Sequence, residues 1–194
     1  MLENALNGYG VSAKGKIAVK TLVSAGLIAL AVLLPQLVHA ALGQPGGVKW
    51  LPMYLPILLG GCLLGSRWAL SVGLLSPLVS FLVTSIAGSP MPVLERLPFM
   101  MAELAVFALV SGLFTQKIAQ NGWWAFVAVP AAQLAGRLSF LVLAVIFQGV
   151  VSFTPAMILQ QLQAGLAGVL VQMIAAPVIL LALRWLLLKD DQHE

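Results

Sequence analysis

Residues 21–42 form the run TLVSAGLIALAVLLPQLVHAAL, which contains no Asp, Glu, Lys or Arg. A helix needs about 20 apolar residues to cross roughly 30 Å of hydrocarbon, and this run has that length. Lys14, Lys16 and Lys20 precede it and Val38-His39-Ala40 lies near its end, a pattern that resembles a cleavable signal peptide. We interpret the run as a retained first transmembrane helix.

Similar apolar runs fill most of the remaining chain. The sequence is 61% hydrophobic and only 8% charged, whereas soluble domains carry about 25% charged residues. We therefore predict an all-α, polytopic membrane protein that forms a single transmembrane domain over residues 1–194. Its six predicted helices cover residues 21–42, 51–65, 68–87, 98–115, 123–147 and 155–188. The second is short and contains Pro52, Pro56, Gly60 and Gly61, so we expect protein rather than lipid around it.

Basic residues predict the orientation of these helices, because Lys and Arg accumulate in short cytoplasmic loops. With the N-terminus inside, the cytoplasmic side carries a large majority of them: Lys14, Lys16, Lys20, Arg67, Lys117, Arg184 and Lys189. The outer side then has only Lys49 and Arg96. This asymmetry predicts that both termini are cytoplasmic.

Two ionisable residues, Glu103 and Arg137, lie inside the predicted helices 4 and 5. Charges within a membrane are costly unless they are paired or hydrated, and they often mark functional sites. A rise of 1.5 Å per residue puts both in the outer half of the membrane, where they could meet. A structural ion pair and a role in ligand binding are both compatible with this placement.

Other polar residues fall at the same depth, while the inner half is almost purely apolar. The predicted binding residues are His39, Trp50, Tyr54, Ser80, Thr84, Glu103, Arg137, Gln148 and Gln161. Loops 43–50 and 88–97 are positioned to cap a cavity between them. A cavity that opens to one side only is typical of a receptor for a small solute, since a channel would continue its polar lining through the membrane. Ser, Thr and Gly stripes also serve ordinary helix packing.

No pattern for catalysis, metal binding or nucleic-acid binding competes with this interpretation. Cys62 is the single cysteine, and it lies in an apolar run without neighbouring ligands. The carboxylates lack the HExxH spacing, and no GxxxxGK[ST] loop is present to hold ATP. The basic residues form no patch with interleaved aromatics. We expect no enzyme, no metal and no cofactor on this chain.

The stretch Leu51-Pro52-Met53-Tyr54-Leu55-Pro56-Ile57-Leu58-Leu59-Gly60-Gly61 carries a family resemblance, together with Gly65, Gly73, Ser76-Pro77, Ser80 and Gly88-Ser89-Pro90. It resembles the substrate-binding subunit, or S component, of energy-coupling factor (ECF) transporters. The resemblance is clearest over residues 50–115. Tyr54 departs from the family pattern, because many members carry a histidine there.

The resemblance implies a function and a set of partners. An S component captures a vitamin or related micronutrient outside a prokaryotic plasma membrane. It passes the solute through an ABC-type complex with a transmembrane scaffold subunit and two cytosolic ATPases, which use the ATP. The family's docking motif, two small residues four apart on helix 1, corresponds here to Ala25 and Ala29.

The residues themselves leave two further classes open. One is a small secondary transporter or channel, and the other is a membrane scaffold protein that transports nothing. The sequence does not distinguish riboflavin, thiamin, folate, pantothenate or cobalamin as the solute.

Overall fold

The computed structural model describes residues 1–147 and 155–188, and every side chain in them except those of residues 44, 45, 155–158 and 161. Within these ranges the chain is helical and contains no β-strand. The helices are α1 (Leu2–Gly8), α2 (Ala13–Trp50), α3 (Tyr54–Leu64), α4 (Ser66–Ile86), α5 (Leu97–Leu113), α6 (Thr115–Gln120), α7 (Ala125–Ile146), α8 (Pro155–Ala164) and α9 (Leu166–Leu188). Short 3-10 turns occur at Leu94–Arg96 and Gly122–Trp124.

Six stretches in the described part of the chain are long and apolar enough to cross a membrane. They are Ala13–Gly43, Gly46–Leu64, Ser66–Ile86, Leu94–Leu113, Gly122–Ile146 and Leu166–Leu188. The predicted fold class, an all-α protein with six membrane helices, is therefore confirmed.

Helix boundaries differ from the prediction in several places. The predicted loop 43–50 is helical, because α2 continues past a break at Gly43 as far as Trp50. The first helix starts at Ala13 rather than residue 21, because Ser12 caps it by accepting a hydrogen bond from the Gly15 amide at 3.2 Å. Hydropathy marks the part of a helix that lies in lipid, and so it missed the basic first turns. The predicted helix over 155–188 is divided at Gly165 into α8 and α9.

The chain breaks its helical path at Gly43, inside α2. Gly43 has φ 71° and ψ −176°, a conformation that is essentially restricted to glycine. The segment after the break packs back on the one before it, and a side chain at Gly47 would collide with the His39 ring. Leu51 then adopts a left-handed conformation with φ 49°, and the chain enters α3.

Helix α3 lies in the middle of the bundle. It contacts α2, α4 and α5, and most of its residues are buried, including Tyr54, Ile57 and Leu58. The expectation that the second helix is surrounded by protein is confirmed.

Glycines bring α4 and α7 close to α5. A Cβ at Gly73 of α4 would lie 2.5 Å from the Leu104 carbonyl oxygen, and one at Gly136 of α7 would lie 3.3 Å from the Glu103 carbonyl oxygen. Small residues allow such close packing in membranes, where lipid supplies no hydrophobic drive for association. Because Arg137 follows Gly136, this contact sets Arg137 beside Glu103.

The bundle has two different ends. At one end, which we call the pocket end, lie the Gly43 break and the loop between α4 and α5. The other end, the basic end, has α1, α6 and the side chains Lys14, Lys16, Lys20, Arg67, Lys117 and Arg184. Arg184 caps α6 by donating to the carbonyls of Ala119 and Gln120, both at 3.2 Å. Most of the basic residues that the sequence predicts on the cytoplasmic side thus lie at one end of the fold.

Candidate functional site

A cavity of about 320 Å³ opens at the pocket end. The described residues that line it come from α2 (Pro35, Gln36, His39), the segment up to α3 (Gly47, Val48, Leu51, Pro52, Met53, Tyr54), α4 (Ser80), the α4–α5 loop (Pro90, Met91, Pro92, Val93, Arg96), α5 (Met100, Glu103), α7 (Arg137, Phe140) and α8 (Leu162). Its volume lies at the lower end of the roughly 300–1,000 Å³ typical of small-molecule sites.

The two intramembrane charges meet in the wall of this cavity. Arg137 Nη1 donates to Glu103 Oε1 at 2.8 Å and to the Tyr54 hydroxyl at 3.1 Å. The guanidinium carbon also lies 4.6 Å from the centre of the Tyr54 ring. Pairing is what makes two charges tolerable at such depth, and the ion pair ties α5 to α7.

The two side chains of the ion pair differ in how much of their surface is exposed. The Arg137 side chain is 18% exposed, whereas that of Glu103 is only 3% exposed. The guanidinium therefore faces the cavity, and the carboxylate lies behind it. Among the described residues, Arg137 uses only Nη1 for hydrogen bonds, so its Nε and Nη2 groups have no hydrogen-bond partner there.

Ser80 and Thr84 hold a loop. Ser80 Oγ donates to the Met91 carbonyl at 2.9 Å, and the Met91 amide donates to Thr84 Oγ1 at 2.7 Å. These bonds fix the α4–α5 loop over the cavity, where Pro90 and Pro92 form part of the wall. Ser80 lines the cavity and Thr84 does not, so the Thr84 hydroxyl acts on the loop and has no direct access to a ligand.

Gln36 and His39 form part of the opposite wall. They lie three residues apart on α2 and so share a helix face. Gln36 Nε2 and His39 Nδ1 are buried and have no hydrogen-bond partner among the described residues. Buried polar atoms are nearly always paired, and the cavity is where partners for these two can bind.

Two buried glutamines anchor the turn before Tyr54, although neither of them lines the cavity. Gln133 Nε2 donates to Gln172 Oε1 at 2.8 Å, and Gln172 Nε2 donates to the Leu51 carbonyl at 2.9 Å. Gly168 lets α9 approach the same turn, since a Cβ there would lie 2.6 Å from the Lys49 carbonyl oxygen. Helices α7 and α9 thus fix the turn that leads into Tyr54.

Toward the basic end, most of the buried side chains of the bundle are apolar. Ile57 and Leu58 on α3 and Leu104 and Phe107 on α5 are completely buried. They lie deeper than Tyr54 and Glu103 along the same helices. Tyr54 and Phe107 make an edge-to-face contact with ring centres 5.6 Å apart. In the described part of the chain the cavity is closed toward the basic end.

The predicted site residues are therefore only partly brought together. His39, Tyr54, Ser80, Glu103 and Arg137 line the cavity. Trp50 does not line it; the ring is partly exposed, with Lys49 Nζ 5.6 Å from its centre, as suits a residue at the membrane interface. Gln148 and the side chain of Gln161 lie outside the described residues.

The cavity also contains residues that the sequence did not single out for binding. Gln36 had a usable signal, because it lies one helical turn before His39. Arg96 was counted only for topology, although it lines the cavity. Met100, Phe140 and Leu162 are apolar residues in apolar helices, and nothing in the sequence separates them from ordinary core positions.

The two small residues predicted for docking lie far from this cavity. Ala25 and Ala29 are exposed on α2, and they precede His39 by 10 to 14 residues, or roughly 15–21 Å along the helix. Their neighbours Leu22 and Leu33 are also exposed, at 74% and 56%. These alanines therefore do not pack inside the bundle.

Comparison with known proteins gives one match. The family model described as "ECF transporter, substrate-specific component" matches residues 20–188. No curated protein and no solved structure matches the chain. The fold and the cavity define a multi-pass membrane protein with a binding site for a small molecule. The chain belongs to the family of substrate-specific components of ECF transporters, and it is accordingly a substrate-binding subunit of a transporter and not an enzyme.

Proposed function

We propose that this subunit captures a vitamin or related water-soluble micronutrient outside a prokaryotic plasma membrane and delivers it through an ECF-type ABC import complex. The observation that carries the proposal is the cavity, which has a buried ion pair in its wall and an apolar floor beneath it. Such a site suits a small solute, and the part of the chain that the structure describes offers no path from it through the bundle.

The orientation follows from the basic end. Lys14, Lys16, Lys20, Arg67, Lys117 and Arg184 gather there, while the pocket end has Lys49 and Arg96. Because positive residues favour the cytoplasmic side, the cavity faces outward and both termini face the cytoplasm. A solute bound from outside then needs a large movement of the subunit to reach the cytoplasm.

The partners that drive this movement are a transmembrane scaffold subunit and two cytosolic ATPases. The exposed face of α2 around Ala25 and Ala29 suits docking on the scaffold, because small residues let another helix approach closely. The ATP is hydrolysed by the partners, and this chain contributes binding alone.

Reconstitution tests the proposal. The purified chain should carry or bind a small water-soluble compound, identified by mass spectrometry of what co-purifies with it. In vesicles the chain alone should not accumulate that compound when ATP is supplied, whereas vesicles that also contain the scaffold and ATPases should. Accumulation by the isolated chain would overturn the proposal in favour of a secondary transporter, and a chain that binds no small molecule would favour the scaffold alternative.

A further inference from the structure

Several donor groups in the cavity wall have no hydrogen-bond partner in the described part of the chain. Nε and Nη2 of Arg137 have no partner among the described residues, and they lie side by side on one edge of the guanidinium plane. Glu103, the acidic member of the pair, is almost wholly covered. A ligand therefore meets the cation first.

An acceptor atom on a ligand would also suit the side of the cavity that α2 forms. Gln36 Nε2 is an amide donor without a partner in the described part of the chain, and His39 Nδ1 is likewise unpaired. An oxygen acceptor on the ligand would pair the amide nitrogen, and it would pair the imidazole when Nδ1 holds the ring proton.

The charged side chains that line the cavity also favour an anionic ligand. Two arginines, Arg96 and Arg137, and one carboxylate, Glu103, line it among the described residues, and these three side chains sum to one net positive charge. Much of the remaining wall is apolar, from residues such as Met100, Phe140 and Leu162. The site therefore offers a ligand one cationic group, the Arg137 guanidinium, and an apolar wall for its uncharged part.

We infer that the substrate is a small organic acid whose carboxylate binds the Nε–Nη2 edge of Arg137, with its uncharged body toward Phe140 and Met100. This inference rests on the proposed function, whose solute it narrows to a chemical class. Two parallel N–H groups match the two oxygens of a carboxylate. Glu103 and Tyr54 hold the guanidinium in place from the other side.

Matched pairs of compounds test the inference on the purified full chain. Suitable probes are nicotinate with nicotinamide, pantothenate with pantothenol and biotin with its methyl ester, with riboflavin and thiamin as solutes that lack a carboxylate. Binding is measured by titration calorimetry. At least one acid should bind, and on the order of 100-fold more tightly than its uncharged partner, as expected for a lost charge-assisted hydrogen bond.

The outcomes separate this inference from the proposed function. If an acid and its uncharged partner bind equally, or only riboflavin or thiamin binds, the inference is wrong and the proposed function stands. If no acid binds, the inference is also wrong. The proposed function is wrong as well only if no probe of any charge binds and no small molecule co-purifies with the chain.

Variants at the ion pair test where the carboxylate of the ligand binds. The quantity measured is the ratio of the affinity for an acid to the affinity for its uncharged partner compound. Arg137→Gln should bring this ratio close to one, whereas Glu103→Gln should raise it because a negative charge near the acid is removed. A site that holds an amine on Glu103 would show the opposite signs. Since the ratio compares two ligands on one variant, general destabilisation does not change it.

A milder variant covers the case in which Arg137→Gln does not fold. Arg96→Gln should slow association of the acid and weaken its dependence on salt, because a rim charge acts mainly through steering. Arg67→Gln is the matched control, since it removes an exposed guanidinium at the basic end. Equal association rates in the two variants would count against an anionic substrate.

Discussion

At the residue scale, the Arg137–Glu103 pair is the feature that the sequence predicted best. The described chain has few ionisable groups in its apolar helices, and the 1.5 Å rise per residue placed these two at one depth. The 2.8 Å contact in the structure agrees with that arithmetic. What depth could not predict is which of the two charges faces the cavity, because this depends on side-chain direction and on Tyr54 from another helix.

The ion pair should be essential for stability as well as for binding. Glu103→Ala or Arg137→Ala leaves one buried charge alone, which typically costs about 3–5 kcal/mol. Tyr54→Phe removes the hydroxyl that accepts from Arg137 but leaves the ion pair in place, and a smaller loss of about 1.5–3 kcal/mol is expected for a hydrogen bond to a charged group. Unfolding in detergent, followed by circular dichroism against denaturant, measures both.

The double variant Glu103→Gln with Arg137→Gln separates the two roles of the pair. It should recover most of the stability that either alanine variant loses, since no unpaired charge remains, but it should not recover ligand affinity. If the double variant bound ligand as well as the native chain, the pair would have a structural role alone.

At the element scale, the α4–α5 loop shows why hydroxyl residues are hard to assign from sequence. Ser80 and Thr84 lie at the right depth for ligand binding, and only the fold reveals that their bonds go to Met91. The break at Gly43 was equally hidden, because glycine occurs throughout membrane helices. The residues that line the cavity depend on how these loops fold back, which hydrophobic periodicity does not encode.

Thr84→Val should loosen that loop. It removes the acceptor for the Met91 amide, so hydrogen exchange of residues 88–93 should accelerate by about 5- to 10-fold, as expected when a bond worth roughly 1 kcal/mol is lost. The control is Ser76→Ala on the same helix, whose hydroxyl donates at 2.7 Å to the Val72 carbonyl within α4. Equal exchange in the two variants would show that Thr84 does not hold the loop.

At the scale of the whole molecule, the two ends of the bundle differ, because the cavity opens at the pocket end and the basic end is closed. The basic end is covered by α1, whose Met1, Leu2 and Leu6 belong to the same buried cluster as Cys62. Lys20 Nζ donates a hydrogen bond to Glu3 Oε2 at 2.7 Å, and this bond, together with the charge of Lys20, holds the pKa of Glu3 below its usual range. The sequence did not predict α1, because seven residues are too few for a periodic pattern.

Helix α1 should therefore shield Cys62, which is completely buried and is the single cysteine of the sequence. Leu6→Asp introduces a charge into that cluster and should release α1, so labelling of Cys62 by a maleimide should become at least about 10-fold faster through local opening. Asn7→Asp adds the same charge on the exposed face, next to Lys16, and serves as the control. Similar labelling rates in both variants would mean that α1 is not the cover.

The exposed small-residue face of α2 gives the prediction that concerns the complete transporter. Ala25 and Ala29 lie on the outside of the bundle and one turn apart, so a tryptophan there fits without disturbing the core but blocks a helix from approaching. Ala25→Trp or Ala29→Trp should weaken assembly with the scaffold subunit and abolish uptake. Ligand affinity and melting temperature of the isolated chain should remain nearly unchanged, because the cavity lies roughly 15 Å or more away along α2.

The matched control is a tryptophan at Leu22 or Leu33, which are exposed on the same helix but are already large. These variants add bulk without filling the small-residue face, so assembly should persist. Pull-down of the complex, thermal unfolding and ligand titration on the same set of variants separate docking from packing. A destabilised chain that still assembles after Ala25→Trp would decide against docking at this face. The expected result is a chain that remains stable and binds ligand but no longer assembles with the scaffold subunit. The reason is that this face of α2 is exposed, so its small residues have either lipid or a partner helix as neighbours.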